Sequence, residues 1–196
     1  MRARKKNIEL PTFEEVTAER KRLRHKMRYG RTLKSTVAVF VLSAAVAILV
    51  ATLWLPVLQI YGNSMAPTLN DGQIIISVKS RHFSTGDVVA FYHGNKILVK
   101  RCIAGPSDWI NIDKGGNIYV NDKKLDEPYV EKKAFGETTI DLPYQVPEDR
   151  WFLVGDNRSV SLDSRSMTIG SVPTDQIIGK IIFRIWPVNS AGLVNK

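Results

Sequence analysis

The sequence predicts a mainly β domain, rich in antiparallel pairs, preceded by a single transmembrane helix. Three observations carry this. No charged residue occurs from Ser35 to Asn70. Beyond that window, short runs of β-branched and aromatic residues alternate with turn residues. Few helical periods appear after the apolar run, so one antiparallel domain fits better than an alternating α/β fold.

The chain begins with a basic segment. Residues 1–34 hold 12 Lys/Arg and 4 Asp/Glu, which is +8 of the net +9 of the whole chain. Residues 35–196 hold the other 16 Lys/Arg and 15 Asp/Glu, so the main domain is nearly neutral. Thr12-Phe13-Glu14-Glu15 has capping-box form and starts a short charged helix at Phe13. A basic tail can bind nucleic acid. Here its position against the apolar run already explains it as a topology signal that also touches anionic membrane lipid. No nucleic-acid partner is expected.

Thr36 to Leu58 is the apolar run. As a helix its 23 residues would span about 35 Å, enough to cross a hydrocarbon core of roughly 30 Å. The hydroxyls of Thr36, Ser43 and Thr52 can bond back to helix carbonyls. Trp54 suits the far interface, and Pro56 can end the helix. A soluble core helix this long and apolar on every face would need a larger protein around it. A cleavable secretory peptide has a shorter apolar region and a shorter leader. The small-residue triplet Ala45-Val46-Ala47 would lie at membrane depth.

The run is therefore read as an uncleaved, single-pass transmembrane signal anchor over residues 35–58. Arg20, Lys21, Arg22, Arg24, Lys26, Arg28, Arg31 and Lys34 precede it closely, and no Lys or Arg follows until Lys79. That asymmetry makes 1–34 a cytoplasmic segment and 59–196 an extracytoplasmic domain at the cell membrane.

Strands are expected at Gln73–Ser80, Asp87–Tyr92, Lys96–Ile103, Trp151–Val154 and Ile177–Trp186. Trp109–Asp113 and Asn117–Asn121 flank Lys114-Gly115-Gly116, a hairpin signal. Residues 122–150 are more polar and hold Pro128, Pro143 and Pro147, so a loop-rich excursion is expected there.

Composition narrows the chemistry. Hydrophobic residues are 44% and charged residues 24%, which excludes a disordered chain. The single cysteine, Cys102, excludes a disulfide framework and any multi-cysteine metal site. His25, His82 and His93 form no close ligand pair.

Three stretches stand apart from the strand pattern: Gly62–Leu69, Val99–Gly105 and Gly155–Arg165. Ser64, between a glycine and a proline, can be presented by a tight turn, although most serines in such places are turn residues. No GxSxG elbow is present, and no histidine lies in the three stretches; His82 and His93 remain open as triad partners. Lysine is the other base that can activate serine. Lys100 follows Ile97, Leu98 and Val99 and, by alternation, shares a face with Leu98 and Cys102. It is either an edge lysine snorkelling to solvent or a desolvated amine able to take the Ser64 proton.

These stretches resemble the conserved boxes of the bacterial type I signal peptidases (leader peptidases), membrane-bound serine–lysine endopeptidases. Ser64-Met65-Ala66-Pro67-Thr68-Leu69 matches the nucleophile box. Lys100-Arg101-Cys102-Ile103-Ala104-Gly105 carries the general-base box. Gly155-Asp156-Asn157-Arg158 through Ser161, Asp163, Ser164 and Arg165 matches the third box without a gap, and Gly86-Asp87-Val88-Val89 matches a fourth. Four ordered matches make a specific signal, running from the apolar run to about Pro187.

The resemblance implies a β-rich fold with an exposed apolar surface near the membrane. It makes Ser64 the nucleophile, Lys100 the general base and Ser161 the hydroxyl that orients the amine. It makes Asp163 and Arg165 a supporting ion pair, with Gly155, Asp156, Asn157 and Arg158 forming the adjoining turn. The implied partners are preprotein signal peptides, cut after small residues at −1 and −3, with no metal or cofactor. Where certain Gram-negative members have an oxyanion-hole serine two positions before the nucleophile, this chain has Gly62. The hole then relies on the Ser64 N–H and a second donor, and Gly62 resembles the Gram-positive branch.

From Leu58 to Ser64 is six residues, at most about 20 Å of extended chain, so the nucleophile is expected near the outer interface. An extended substrate can lie as an added strand beside Val57–Tyr61 or Lys96–Val99. Two competing readings are a self-cleaving repressor protease, which would need a DNA-binding domain, and a catalytically silent membrane-anchored module that binds exported chains.

Overall fold

The structure, a computed structural model, describes residues 12–194. The part of the basic segment before Thr12, and the side chains of Lys26, Arg28, Arg31 and Trp54, lie outside the described residues. The chain divides into a helical unit ending at Val50 and a second unit beginning at Ala51.

A single helix, α1, runs from Phe13 to Trp54. Its start is the expected capping box. The Thr12 N–H donates to Glu15 Oε2 at 2.9 Å, and the Glu15 N–H donates to Thr12 Oγ1 at 3.4 Å. The charged helix and the apolar run, separate segments in the sequence reading, are one continuous helix. Thr32–Val50 has a mean hydropathy of 2.3 and no buried part, which fits a single-pass membrane anchor. Thr36 and Ser43 bond back to the carbonyls of Thr32 and Phe40, as their place in an apolar helix requires.

The helix stops before Pro56, short of the expected Leu58. Val57–Gln59 is a strand instead, β1. The residue before a proline is biased away from helical backbone, and the chain turns extended there. The apolar character of Leu58 therefore serves the sheet: it packs against Ile60, Met65 and their core neighbours, while Val57 stays exposed.

The remaining strands are β2 (Ile74–Val78), β3 (Val88–His93), β4 (Lys96–Ala104), β5 (Trp109–Ile112), β6 (Ile118–Val120), β7 (Lys123–Lys124), β8 (Tyr144–Gln145), β9 (Arg150–Val154), β10 (Val172–Pro173), β11 (Ile177–Trp186) and β12 (Gly192–Leu193). Every strand pairing among the described residues is antiparallel. The larger sheet has the order β1-β2-β11-β3-β4-β9-β10, with β12 also on β11; the smaller is β7-β6-β5-β8.

β3 sits near the middle of the larger sheet and explains its own unbroken apolar run. Val88 and Ala90 face one cluster with Met65, Leu69 and Ile75, while Val89 and Phe91 face another with Cys102 and Leu153. Alternation places successive residues on opposite faces, and both faces are covered. A third cluster, with Ile110, Ile118 and Phe152, joins the smaller sheet to the larger.

Candidate active site

Ser64 lies on the turn that links β1 to β2. Met65 and Leu69, 1% and 0% exposed, pin this turn into the core. Gly62 has φ of +83°, a conformation that glycine adopts without strain, and its N–H donates to Asp71 Oδ1 at 2.6 Å. The Ser64 N–H makes no hydrogen bond among the described residues and is free to serve as an oxyanion donor.

Lys100 comes from β4 and is 3% exposed. Its Nζ is 2.7 Å from Ser64 Oγ. Burial pushes the amine down from 10.5 to about 8; the Asp163 carboxylate opposes this, the Arg165 cation assists it and Asp156 opposes it again. Lys100 is thus buried and does not reach solvent as an edge lysine would. The Ser80 contacts of His82 are made by its backbone, and neither His82 nor His93 hydrogen-bonds to Ser64 among the described residues.

The third stretch folds against the nucleophile. The Asn157 N–H donates to Ser64 O at 3.1 Å, and Asn157 Nδ2 donates to Asn63 O at 3.2 Å. Gly155 packs so closely that a Cβ there would lie 2.5 Å from Ser64 O and 2.1 Å from Ser161 Oγ. The Gly155 N–H donates to Asp163 Oδ2 at 3.0 Å. Asp163 in turn receives Arg165 through two bonds, Nε at 2.8 Å and Nη2 at 2.9 Å, and both side chains are buried. Ser161 is 3% exposed, but its hydroxyl has no partner among the described residues, Lys100 included.

Several contacts around the site are not legible in the sequence. Asp156 takes Arg101 Nε at 2.8 Å and Nη2 at 2.7 Å, and Thr68 Oγ1 donates to Asp156 Oδ2 at 2.5 Å. Asp156 thus ties the Ser64 turn to β4. The signal for Arg101 was present: a second cation in an apolar strand, next to Lys100, needs a buried acid. Nothing local marked Glu127, which pairs with Arg158 from inside the expected loop excursion. Cys102 is fully buried and its thiol is pushed up by desolvation and by Asp87, which makes it inert.

A cleft of about 640 Å³ opens beside the dyad, lined by Leu58–Tyr61, Ser64, Met65 and the segment Asn95–Lys100. β1 is the edge of its sheet. β9 joins β4 only from Arg101 onward, so Lys96–Val99 also lack a second neighbour among the described strands. Two free strand edges thus border one apolar cleft. A larger cleft, about 850 Å³, is lined by Lys79–Arg81, Asp149 and residues of the 173–178 segment and holds none of the groups above.

A serine hydroxyl against a desolvated amine, beside a cleft that can pair with an extended chain, is the arrangement of a serine hydrolase acting on peptide. The model of the family described as signal peptidase, peptidase S26, matches residues 33–186, and the chain belongs to that family. It is therefore a serine endopeptidase of signal-peptide removal. The chain is 40% identical over 149 residues to a signal peptidase IB of Staphylococcus aureus, covering 65% of this chain and 76% of that one. It is 32% identical over 173 residues to signal peptidase I of Streptococcus pneumoniae, covering 68% and 83%. A crystal structure of a signal peptidase I from Enterococcus faecalis is similar over 50% of this chain and 96% of that one, with 26% identity and a TM-score of 0.41.

Proposed function

We propose that this chain cleaves signal peptides with a Ser64–Lys100 dyad, after small residues, from a catalytic domain held outside the cell membrane. The observation that carries the dyad is the 2.7 Å contact between Ser64 Oγ and a buried Lys100 Nζ whose pKa is about 8. In its neutral form the amine accepts the Ser64 proton as Oγ attacks the scissile carbonyl. The Ser64 N–H stabilises the oxyanion. The ammonium then protonates the leaving amine, and the same amine activates the water that hydrolyses the acyl-enzyme.

The other residues act on this pair. Gly155, Asp156, Asn157 and Arg158 hold the Ser64 backbone, and the Asp163–Arg165 pair fixes the turn and sets the field at Lys100. Ser161 lies across Gly155 from the Ser64 backbone, and its unpartnered hydroxyl is the group the family resemblance assigns to orienting the amine. Preprotein chains bind as an added strand in the cleft between β1 and the 96–99 edge. Residues 1–34 face the cytoplasm, the apolar helix crosses the bilayer and the β unit lies outside, because +8 of the net +9 charge lies on the N-terminal side of the span.

The test is cleavage of a preprotein with Ala at −3 and −1 by the full chain and by Ser64→Ala. The wild type is expected to release a mature chain whose first residue follows the −1 Ala, and Ser64→Ala to release none. Equal cleavage by Ser64→Ala removes the dyad; cleavage at an unrelated bond removes the specificity.

A further inference from the structure

Two buried arginines flank the turn that holds Ser64, and a tripeptide remote in sequence grips both. Arg158 is 1% exposed, and its Nε donates to Gly155 O at 3.1 Å. Its guanidinium meets Glu127 through two bonds, Nη1 to Oε2 at 3.2 Å and Nη2 to Oε1. Arg101 is fully buried, bound to Asp156 and, through Nη1, to Gly86 O at 2.8 Å. The Tyr129 ring lies under it, 3.8 Å from Cζ to the ring centroid. The Tyr129 hydroxyl reaches Glu127 Oε1 at 3.5 Å.

We propose that Glu127 and Tyr129 are positioning residues for the dyad. Together they orient the two guanidinium planes that hold the Gly155–Arg158 turn against Ser64 and Asp156 against β4.

Asp156 neutralises Arg101, and Asp163 neutralises Arg165. Among the described residues the only ion-pair partner of Arg158 is Glu127. A two-bond carboxylate fixes the plane of a guanidinium and not merely its charge. With that plane fixed, the Arg158 Nε–H points at the carbonyl of Gly155, the residue before Asp156 and one with no room for a Cβ beside Ser64 O. Arg101 has its two-bond carboxylate in Asp156, and Tyr129 backs that pair by covering the guanidinium face. Arg101 directly follows Lys100 on β4, so a tilt of Arg101 is transmitted to the base through one peptide unit. Pro128 stiffens the backbone between the two contacts. The tripeptide therefore spans the nucleophile side and the base side of the site without touching either reacting atom.

This inference rests on the Ser64–Lys100 reading. The experiment uses the full chain in detergent and a fluorogenic peptide with Ala at −3 and −1. Single-turnover rates, KM and thermal midpoints are measured for each variant. Glu127→Gln and Tyr129→Leu are expected to lower the turnover rate by about tenfold or more with little change in KM, as loss of alignment does. Tyr129→Phe keeps the ring and is expected to recover the rate lost in Tyr129→Leu. The double variant Glu127→Gln/Arg158→Met removes both charges of the pair. It is expected to regain the thermal midpoint lost in Glu127→Gln but not the rate, since Gly155 O is then unheld. It also decides the matter if Glu127→Gln alone does not fold.

A double variant that regains rate together with stability overturns the proposal, as do single variants that melt earlier but turn over like wild type while folded. Cleavage surviving in Ser64→Ala is a separate failure, that of the dyad itself.

Discussion

Lys100 sets stability against chemistry. Its folded pKa is about 8 against 10.5 when solvated. Between those values the unfolded chain binds more protons than the folded one, so stability rises with pH through that window. Below about pH 8 the penalty is present in full, on the order of 3 kcal/mol. Lys100→Met is expected to unfold at higher denaturant than wild type at pH 7, with the gap closing toward pH 10.5, and to lose cleavage. A Met variant no more stable at pH 7 contradicts the desolvated amine. Cys102 is the opposite case: it shares β4 with Lys100 but is sealed in the core. Cys102→Ala is expected to keep most cleavage and lose a little stability. Loss of cleavage in a folded Cys102→Ala protein contradicts its structural role.

At the scale of elements, the turn after β9 is the part with least tolerance. A Cβ at Gly155 would meet Ser161 Oγ and Ser64 O at 2.1 and 2.5 Å, and the second is backbone that cannot rotate away. Gly155→Ala is expected to cost about 1–3 kcal/mol of stability and to slow cleavage by about a hundredfold, read by a denaturant melt and a single-turnover assay. Unchanged cleavage contradicts the close packing of this turn on the nucleophile. The long strands were legible because their β-branched runs are buried on one or both faces, as β3 and β11 show. The hairpin β6–β7 was not. Asn121 and Asp122 have φ of 50° and 62°, a turn signal, but β7 is Lys123–Lys124, exposed and without alternation. The two-residue strands β8, β10 and β12 carry no local pattern and exist through their partners. The end of α1 was misjudged because an apolar residue reads alike whether it meets lipid or a sheet.

For the whole molecule, the proposed orientation rests on the charge asymmetry. External protease on intact protoplasts is expected to digest the chain after Tyr61 and spare residues 1–34; protection of the β unit contradicts an extracytoplasmic site. The site was legible in the sequence to the extent that its chemistry is local. Ser64, Lys100 and the 155–165 stretch stand in motifs. The contacts that bring them together do not: Asp156 to Arg101 spans 55 residues and Arg158 to Glu127 spans 31. Sequence says that each buried cation needs an acid, and only the fold says which one.

The central claim is that Lys100 acts as a neutral base on Ser64. The most direct measurement is the single-turnover rate of signal-peptide cleavage against pH for wild type and Lys100→Arg. Wild type is expected to rise with pH along an acid limb centred near 8, the value set by burial of the amine. Lys100→Arg is expected to be inactive across the range, because a guanidinium stays protonated. Substantial cleavage by a folded Lys100→Arg protein, or a wild-type rate flat from pH 6 to pH 10, would contradict the account.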